Sequence, residues 1–284
     1  MGVLVKAFFT LLSCFVPCMR KRRYLRQIGN LQSFKSVYLY YSRIIFNKRY
    51  VKKYKEYKKT RKAKLVVYSC VTNHYDDYQK IKNINFDYDY VMYTDDMTNF
   101  NEDEHIWEFR KLEEKDLDNT RKARFAKLNP QHLISEYEES LWIDSNVDII
   151  TNQVYDDVEK ARANNELIAI SNHPKRTCLY QEYDRCVHYK IDDIDVMTKQ
   201  VESFRDEGFP EGLGLFENNI MYRKHNNEKL VPLLEGWWDY VCHGSKRDQL
   251  SLTYLAWKLD INIAKLNPVS YRKLGKDVVM RVHK

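Results

Sequence analysis

Between residues 65 and 260 the chain alternates short apolar runs with stretches of helical periodicity. The apolar runs are continuous and of strand length, which is typical of strands that are buried on both faces of a sheet. They occupy residues 65–70 (LVVYSC), 90–94 (YVMYT), 141–143 (LWI) and 167–171 (LIAIS), and residues 213–222 are also predicted to be extended.

Amphipathic helices are predicted between these strands. They occupy residues 119–137, 154–165, 196–206, 228–242 and 248–259. The first is interrupted near Pro130, because proline supplies no N–H to the helical ladder. Strands that alternate with helices predict a parallel βαβ construction and an α/β fold.

Charge divides the 284 residues into two parts. Residues 1–64 hold 18 basic residues and one acidic residue, a net charge of +17. The remainder holds 29 basic and 39 acidic residues, a net charge of −10. We therefore expect a basic membrane-associating segment at 1–64 and a catalytic domain at 65–284.

The apolar run at residues 3–16 is too short to span a bilayer, which takes about 20 residues. A cationic cluster, Arg20-Lys21-Arg22-Arg23, follows it, and a basic, tyrosine-rich stretch covers residues 38–64. This order favours a segment lying on an anionic membrane surface, peripherally at the cytoplasmic face. A Golgi-type signal anchor, a solvated basic arm and a nucleic-acid-binding arm are the alternatives, and the acidic body argues against nucleic acid.

Several common site signatures are absent from the sequence. The six cysteines form no CxxC pair, which argues against a zinc site or a disulfide framework and makes a reducing compartment the default. There is no GxGxxG motif and no P-loop. If a nucleotide binds, its phosphates must be held by a metal and by cationic side chains.

The strongest local signal is SLWIDSNVDII at residues 140–150. An apolar strand there delivers Asp144, Ser145 and Asn146 at its carboxyl end, where open α/β sheets bind ligands. Paired oxygen ligands at this spacing suit a divalent cation that bridges a diphosphate. The alternative is a strand-end turn in which Asp144 and Asn146 bind backbone amides.

Six segments, taken in order, resemble one known family. They are RKARFAKLNPQHL (121–133), SLWIDSNVDI (140–149), SNHPKRTCLYQE (171–182), EGFPEGLGLFENNIMYRKHN (207–226), GWWDYV (236–241) and SKRDQLSLTYLAWKL (245–259). The order and the sequences of these segments resemble those of a glycosyltransferase-like family. This family comprises the plant proteins named for turgor-regulation defect and for mucilage, together with their bacterial relatives. The resemblance covers residues 66–259.

This resemblance implies a GT-A fold similar to the family-eight glycosyltransferases, with a mixed, mostly parallel sheet flanked by helices. It also implies sugar transfer from a nucleotide donor, and we expect a hexose-type sugar and a UDP-sugar. The basic segment favours a saccharide or lipid-linked saccharide acceptor at a membrane, in surface polysaccharide or lipopolysaccharide synthesis. Asp144 and Asn146 match the metal and donor motif for Mn²⁺ or Mg²⁺. Asparagine replaces the second aspartate of that motif, which weakens charge neutralisation of the metal. His283 is a further candidate metal ligand, as a late histidine is in family-eight enzymes, or else an exposed tail residue.

Nucleoside and diphosphate contacts are expected at three places. Thr72-Asn73-His74-Tyr75 follows the first strand and Asp95 ends the second, although His74 and Tyr75 are equally compatible with local turn packing. Arg121, Arg124 and Lys127 share one helix face. That face points either toward the diphosphate or into solvent.

The transferred sugar is expected near two acidic residues, which are the predicted catalytic residues. Glu217 and Asn218 end the run GLGLFENN and can bind sugar hydroxyls. Asp248 and Gln249 match the DQ element of similar glycosyltransferases, although Asp248 at a helix start also suits a dipole-stabilising role. His173, Arg176 and Glu182 are expected on the same side of the sheet, and Trp237 and Trp238 are expected in the core rather than against a sugar.

Two other classes of function remain open at this stage. One is a non-catalytic sugar- or nucleotide-binding module with the same fold, which Asn146 favours. The other is a nucleic-acid-binding protein that uses the basic segment.

Overall fold

A computed structural model describes residues 2–18, 25–26, 28–29, 37–38, 41–42, 45, 47–61, 63–98, 100–114 and 116–283. Its strands are β1 Leu65–Val71, β2 Asp89–Thr94, β3 Glu108–Lys111, β4 Glu139–Ile143, β5 Val147–Ile149, β6 Ile168–Asn172, β7 Phe216–Arg223 and β8 Val278–Met280. Six of them form one sheet in the order β3-β2-β1-β4-β7-β6, and β5 pairs with β8 in a separate two-stranded sheet.

The central sheet is mixed and mostly parallel, as the family resemblance implied. β1 runs parallel to β2 and β4, and β2 runs parallel to β3. β7 is antiparallel to both of its neighbours, β4 and β6. The parallel construction predicted from the alternation of elements holds for β1, β2, β3 and β4, and β7 enters the sheet from the opposite end.

Burial of β1 on both faces explains its continuous apolar run. All seven residues of β1 are buried. Val66 and Tyr68 pack into one apolar cluster, and Leu65 and Val67 pack into the cluster on the other face. Successive side chains of a strand point to opposite faces, so an alternating pattern would have exposed one face to water.

Helices cover both faces of the sheet. They are α1 Gly2–Cys14, α2 Asn47–Lys58, α3 Asn119–Leu128, α4 Pro130–Leu133, α5 Gln153–Ala163, α6 Leu179–His188, α7 Ile194–Asp206, α8 Val231–His243, α9 Leu252–Lys258 and α10 Tyr271–Leu274. The interruption predicted at Pro130 falls between α3 and α4. The carboxylate of Asp118 caps α3 by accepting hydrogen bonds from the backbone N–H groups of Thr120 and Arg121.

Residues 248–259 do not form the single helix that the sequence predicts. A 3₁₀ turn, Asp248–Leu250, comes first, and α9 begins at Leu252. The helix α6 and the short edge strand β3 were not predicted at all. All six cysteines carry free thiols.

The first helix is mostly apolar and packs on the two-stranded sheet. Val5 and Phe9 of α1 pack with Ile28, Ile150 and Val279. The opposite side of α1 exposes large apolar side chains, which are Val3, Leu4, Phe8, Leu11 and Leu12. Within the described ranges, no helix combines the length and apolar character that crossing a membrane requires.

The packed domain begins before residue 65. Helix α2 buries Val51 and Tyr54 in the core, and the Tyr54 hydroxyl donates to the carbonyl of Tyr88 at 3.0 Å. The cationic cluster Arg20–Arg23 lies outside the described residues, and so does part of the basic stretch at 38–64.

Candidate functional site

A cavity of about 500 Å³ opens at the carboxyl ends of β1 and β4. The antiparallel strand β7 contributes its first residues to the same place. Most of the residues predicted for the site line this strand-end cavity: Thr72, Asn73, Tyr75, Arg124, Lys127, Asp144, Ser145, Asn146, Glu217, Asn218, Asp248, Gln249 and His283. His74, Asp95 and Arg121 do not line it.

Asp144 stands at the end of β4 with its carboxylate turned toward other side chains. Its Oδ1 accepts a hydrogen bond from Trp142 Nε1 at 2.7 Å and lies 3.4 Å from Lys127 Nζ. Its backbone N–H donates to the carbonyl of Asn219 in β7 at 2.8 Å. The alternative in which the carboxylate binds turn amides is therefore wrong, and this carboxylate faces the cavity.

The last strand brings a histidine to this turn. Because β8 pairs with β5, the backbone N–H of Arg281 donates to the carbonyl of Asn146 at 2.6 Å, and Asn146 Nδ2 donates to the Arg281 carbonyl at 3.1 Å. His283 Nε2 lies 3.2 Å from Asn146 Nδ2. The Arg281 guanidinium also donates to the carbonyl of Ser145. The tail histidine thus reaches the Asp144–Asn146 turn.

Asp76 orients that histidine and was not predicted from the sequence. Its carboxylate lies 3.0 Å from His283 Nδ1 and accepts a hydrogen bond from Ser145 Oγ at 2.5 Å. Burial raises the pKa of Asp76, but the hydrogen bonds from His283 and Ser145 outweigh it, so the pKa is lowered overall. An ionised Asp76 favours a proton on Nδ1 of His283, so the lone pair of Nε2 faces the turn, where it accepts a hydrogen bond from Asn146 Nδ2.

These side chains fit a hard divalent cation only as a partial ligand set. Within the described part of the chain, no group of three or more His, Cys, Asp or Glu side chains is arranged to hold a metal ion. Asp144, Asn146 and His283 together offer a carboxylate, an amide and an imidazole nitrogen with an oriented lone pair. Mn²⁺ or Mg²⁺ would be held by such a set when ligand oxygens, such as those of a diphosphate, complete the coordination.

A compact charge cluster forms another wall of the cavity. Lys127 is 2% exposed, and its Nζ lies 2.8 Å from Asp248 Oδ2. Arg124 Nε lies 3.8 Å from Asp248 Oδ1. Burial raises the pKa of Asp248, but Arg124, Lys127 and Arg247 lower it far more, so the carboxylate stays ionised. Lys127 also lies beside Asp144, and Arg247 pairs with Glu182, so this wall is a network of cations and carboxylates.

Asp248 lies in the first turn of the 3₁₀ segment, so the role at a helix start stays an alternative to the ligand role. The indole N–H of the fully buried Trp237 donates to the Asp248 carbonyl at 2.8 Å, which places Trp237 in the core as expected. Trp238 packs against Phe125, with the ring centroids 5.2 Å apart.

Three predicted ligand contacts serve the scaffold instead. Arg121 donates to the carbonyls of Val241 and Gly244 at 2.9 and 2.8 Å, so its charge faces the carboxyl end of α8. Asp95 accepts from the backbone N–H of Asn73 at 3.0 Å, which supports the turn after β1. His74 lies 3.1 Å from a carboxylate oxygen of Asp96, outside the cavity.

Two buried polar groups of the cavity lining make no hydrogen bond with the residues that the structure describes. Asn218 is buried, and neither its amide oxygen nor its amide nitrogen has a hydrogen-bond partner among the described residues. Arg124 Nε likewise makes no hydrogen bond there. Since a buried polar group without a partner costs roughly 1–3 kcal/mol, such groups in a cavity wall favour a polar ligand.

Glu217 is buried between a hydroxyl and a guanidinium. It accepts from Ser270 Oγ and forms an ion pair with Arg272. Burial raises the pKa of Glu217, and the opposing effect of Arg272 does not cancel this rise. Among the acidic residues of the cavity, Glu217 is thus the one whose proton affinity is increased.

Glu182 links the cavity to the segment after β6. This fully buried carboxylate accepts from Arg247 at 2.8 Å and also pairs with Arg176. His173 Nδ1 accepts from the backbone N–H of Arg176 at 3.0 Å, and burial lowers the pKa of His173 to about 4. His173, Arg176 and Glu182 therefore support Arg247, a cavity residue to which the sequence analysis gave no role.

Comparison with known proteins gives one family. The family model described as "TOD1/MUCI70, glycosyltransferase-like domain" matches residues 50–279. No curated protein matches the chain. Among solved structures, the X-ray structure of the mannosyltransferase Ktr4p from S. cerevisiae is similar at 15% identity and a TM-score of 0.34. That match covers 68% of this chain and 62% of the other, so this chain spans about 62% of the length of that relative.

Proposed function

Because the chain belongs to the TOD1/MUCI70 glycosyltransferase-like family, we propose that it transfers a hexose-type sugar from a nucleotide sugar to a saccharide or lipid-linked saccharide. A UDP-sugar is the proposed donor, and surface polysaccharide or lipopolysaccharide synthesis is the proposed setting. The supporting observation is the strand-end cavity, where the Asp144–Asn146 turn and the Lys127–Asp248 cluster line one space. A metal-bound nucleoside diphosphate needs both kinds of group at once.

The proposed cation, Mn²⁺ or Mg²⁺, belongs at Asp144, Asn146 and His283. When bound, it would neutralise charge on the donor diphosphate. Asp76 keeps His283 in the orientation that this requires, and Arg281 holds the turn itself through Ser145.

Arg124 and Lys127 are the proposed partners of the leaving nucleoside diphosphate. Arg124 lies beside Asp248, and Lys127 lies between Asp248 and Asp144, so both cations are held at the cavity where negative charge grows on the leaving group. Asn218 lines the same cavity, and its amide makes no hydrogen bond among the described residues, so it is the proposed contact of the sugar hydroxyls. Thr72, Asn73 and the exposed ring of Tyr75 form the proposed nucleoside end of the cavity.

Glu217 is a better candidate than Asp248 for accepting the proton of the acceptor hydroxyl. A general base works best when its pKa lies near the working pH. The pKa of Glu217 is raised and that of Asp248 is strongly lowered. We therefore propose that Asp248 holds Lys127 and the sugar in place, and that Glu217 accepts the proton of the acceptor hydroxyl.

Release of nucleoside diphosphate from a panel of nucleotide sugars, with Mn²⁺ present, tests this function. We expect turnover of at least one donor, and a loss of about 10²-fold or more in kcat for Asp144→Ala. Asp239→Ala is the matched control, because Asp239 is exposed and pairs only with His243 on α8. Equal rates for the Asp144 variant and the control would contradict the proposal.

Asn146 favours one rival function, a sugar- or nucleotide-binding module without turnover. Its amide makes a weaker metal ligand than the carboxylate it replaces. The rival predicts that nucleotide sugars bind while no diphosphate is released by either the native protein or the variant.

We also propose that α1 places the protein on the cytoplasmic face of an anionic membrane. It exposes large apolar side chains, and 18 basic residues lie within residues 1–64. Exposed apolar area next to cationic residues is the combination that binds anionic headgroups. Nucleic acid is not a proposed partner.

A further inference from the structure

A second groove, of about 870 Å³, adjoins the strand-end cavity; we call it the Trp257 groove. Phe216 and Ser270 line this groove, whereas Glu217 lines the cavity. Ser270 Oγ donates to Glu217, so a hydroxyl of the groove touches a carboxylate of the cavity. Gln249, a cavity residue, donates to the Phe216 carbonyl at 2.6 Å. The two spaces therefore share a wall at the first residues of β7.

The charge of the groove is opposite to that of the surrounding domain. Its lining holds Arg176, Lys265 and Lys273 and a single acidic residue, Asp260, whereas residues 65–284 carry a net charge of −10. Lys265 and Lys273 are exposed and form no ion pair with the residues that the structure describes. Free lysines in an acidic domain attract an anionic ligand.

Arg176 adds to this positive charge. It shares the buried carboxylate of Glu182 with Arg247, so two guanidinium groups face a single carboxylate. Arg176 lines the groove and Arg247 lines the cavity. A cation of the groove and a cation of the cavity are therefore held on the same buried carboxylate.

One aromatic ring gives the groove a flat apolar surface. Trp257 is 39% exposed, while the rest of its ring packs against Phe209 with the centroids 5.5 Å apart. A fixed indole with one open side can stack on the apolar side of a sugar ring. Asn172 and Asn262 add amides that can bind hydroxyl groups.

We infer that the Trp257 groove binds the acceptor as an anionic saccharide, with carboxylate or phosphate groups at Lys265 and Lys273 and a ring on Trp257. The reacting end of the acceptor then lies at Glu217, where the groove meets the cavity. Its hydroxyl oxygen bonds to the anomeric carbon of the donor sugar and its proton goes to Glu217. The bond from that carbon to the diphosphate breaks, and its electron pair leaves with the nucleoside diphosphate.

This inference rests on the proposed function for the direction of transfer, but its test needs neither nucleotide sugar nor metal. Calorimetric titration of the full chain compares three hexasaccharides: a uronic acid hexamer, a neutral hexamer bearing phosphoryl groups, and the unmodified neutral hexamer. We expect at least one of the two anionic hexamers to bind at least tenfold more tightly than the neutral hexamer. Comparing the uronic acid hexamer with the phosphorylated hexamer then shows whether the groove prefers carboxylate or phosphate.

The double variant Lys265→Glu/Lys273→Glu should weaken binding of that anionic hexamer at least tenfold, because it reverses two charges in the groove. The matched control is Lys190→Glu/Lys199→Glu, which reverses two exposed charges outside both spaces and should stay within twofold. Equal affinity for all three hexamers overturns the inference, and so does equal binding by the two double variants. Neither result bears on diphosphate release, which tests the cavity separately.

Discussion

Replacing Asp248 by asparagine removes one charge from the best-buried ion pair of the site. Asp248 is 2% exposed, with Lys127 Nζ at 2.8 Å and Arg124 Nε at 3.8 Å. Asparagine has nearly the same shape, so packing against Trp237 is retained and the change is mainly electrostatic.

Loss of one partner of a buried ion pair costs about 3–5 kcal/mol. We expect the lower end of this range, because Lys127 keeps Asp144 at 3.4 Å as a second anion. If the free energy of unfolding falls by about 3 kcal/mol per molar urea, the midpoint of urea unfolding should fall by about 1 M at pH 7.

Acid should erase this difference. The folded-state pKa of Asp248 is depressed by its three cations, so the ionised carboxylate stabilises the folded protein above an unfolded-state pKa of about 3.9. That contribution is lost as the pH falls from there through the folded-state pKa. The native protein and Asp248→Asn should therefore converge below about pH 4.

The matched control is Asp239→Asn, which removes an exposed carboxylate paired with His243. Its urea midpoint should stay at the native value, since exposed pairs contribute little. Equal midpoints for the two variants would refute the reasoning. A gap between the native protein and Asp248→Asn that is the same at pH 7 and pH 3 would refute the assignment of Asp248 as the ionised partner.

Two further predictions concern the rest of the molecule. Burial lowers the pKa of His225 to about 4, so as the pH falls this histidine is protonated in the unfolded chain before it is protonated in the folded protein. The free energy of unfolding of the native protein should therefore fall by about 2 kcal/mol between pH 7 and pH 5 through this residue. In urea titrations at the two pH values, the fall measured for His225→Gln should be smaller by that amount. Placing aspartate at two exposed positions of α1, Phe8→Asp and Leu11→Asp, should abolish sedimentation with anionic vesicles, whereas Asp239→Asn should sediment like the native protein. Unchanged sedimentation of the α1 variant would exclude α1 as the anchor.

The strands and helices that the sequence predicts correctly are those in which adjacent residues form a clear apolar pattern. β1 and β2 are continuous apolar runs because both of their faces are buried. The edge strand β3 has the sequence EFRK, which is partly exposed and resembles a loop. Helix α6 was missed although Leu179, Tyr183 and Cys186 recur at helical spacing, so a fuller search for periodicity would have found it.

The candidate site divides in the same way. Asp144 was found because it directly follows an apolar strand, and Lys127 and Asp248 were found through the family resemblance. Asp76 and His283 are 207 residues apart, and Asn146 and Arg281 are 135 residues apart. Nothing local in the sequence pairs residues so distant, so the support that β8 gives to the turn became visible only in the folded chain.

The small sheet of β5 and β8 connects α1 to the site. Its two faces pack against different parts of the molecule: Val147, Ile149 and Val278 join the core of the domain, and Val279 packs against Val5 and Phe9 of α1. Because His283 follows β8 closely along the chain, the position of its ring at the Asp144–Asn146 turn depends on how β8 is packed. A substitution on the buried side of α1 can therefore disturb the site through one strand, without changing any residue that lines the cavity.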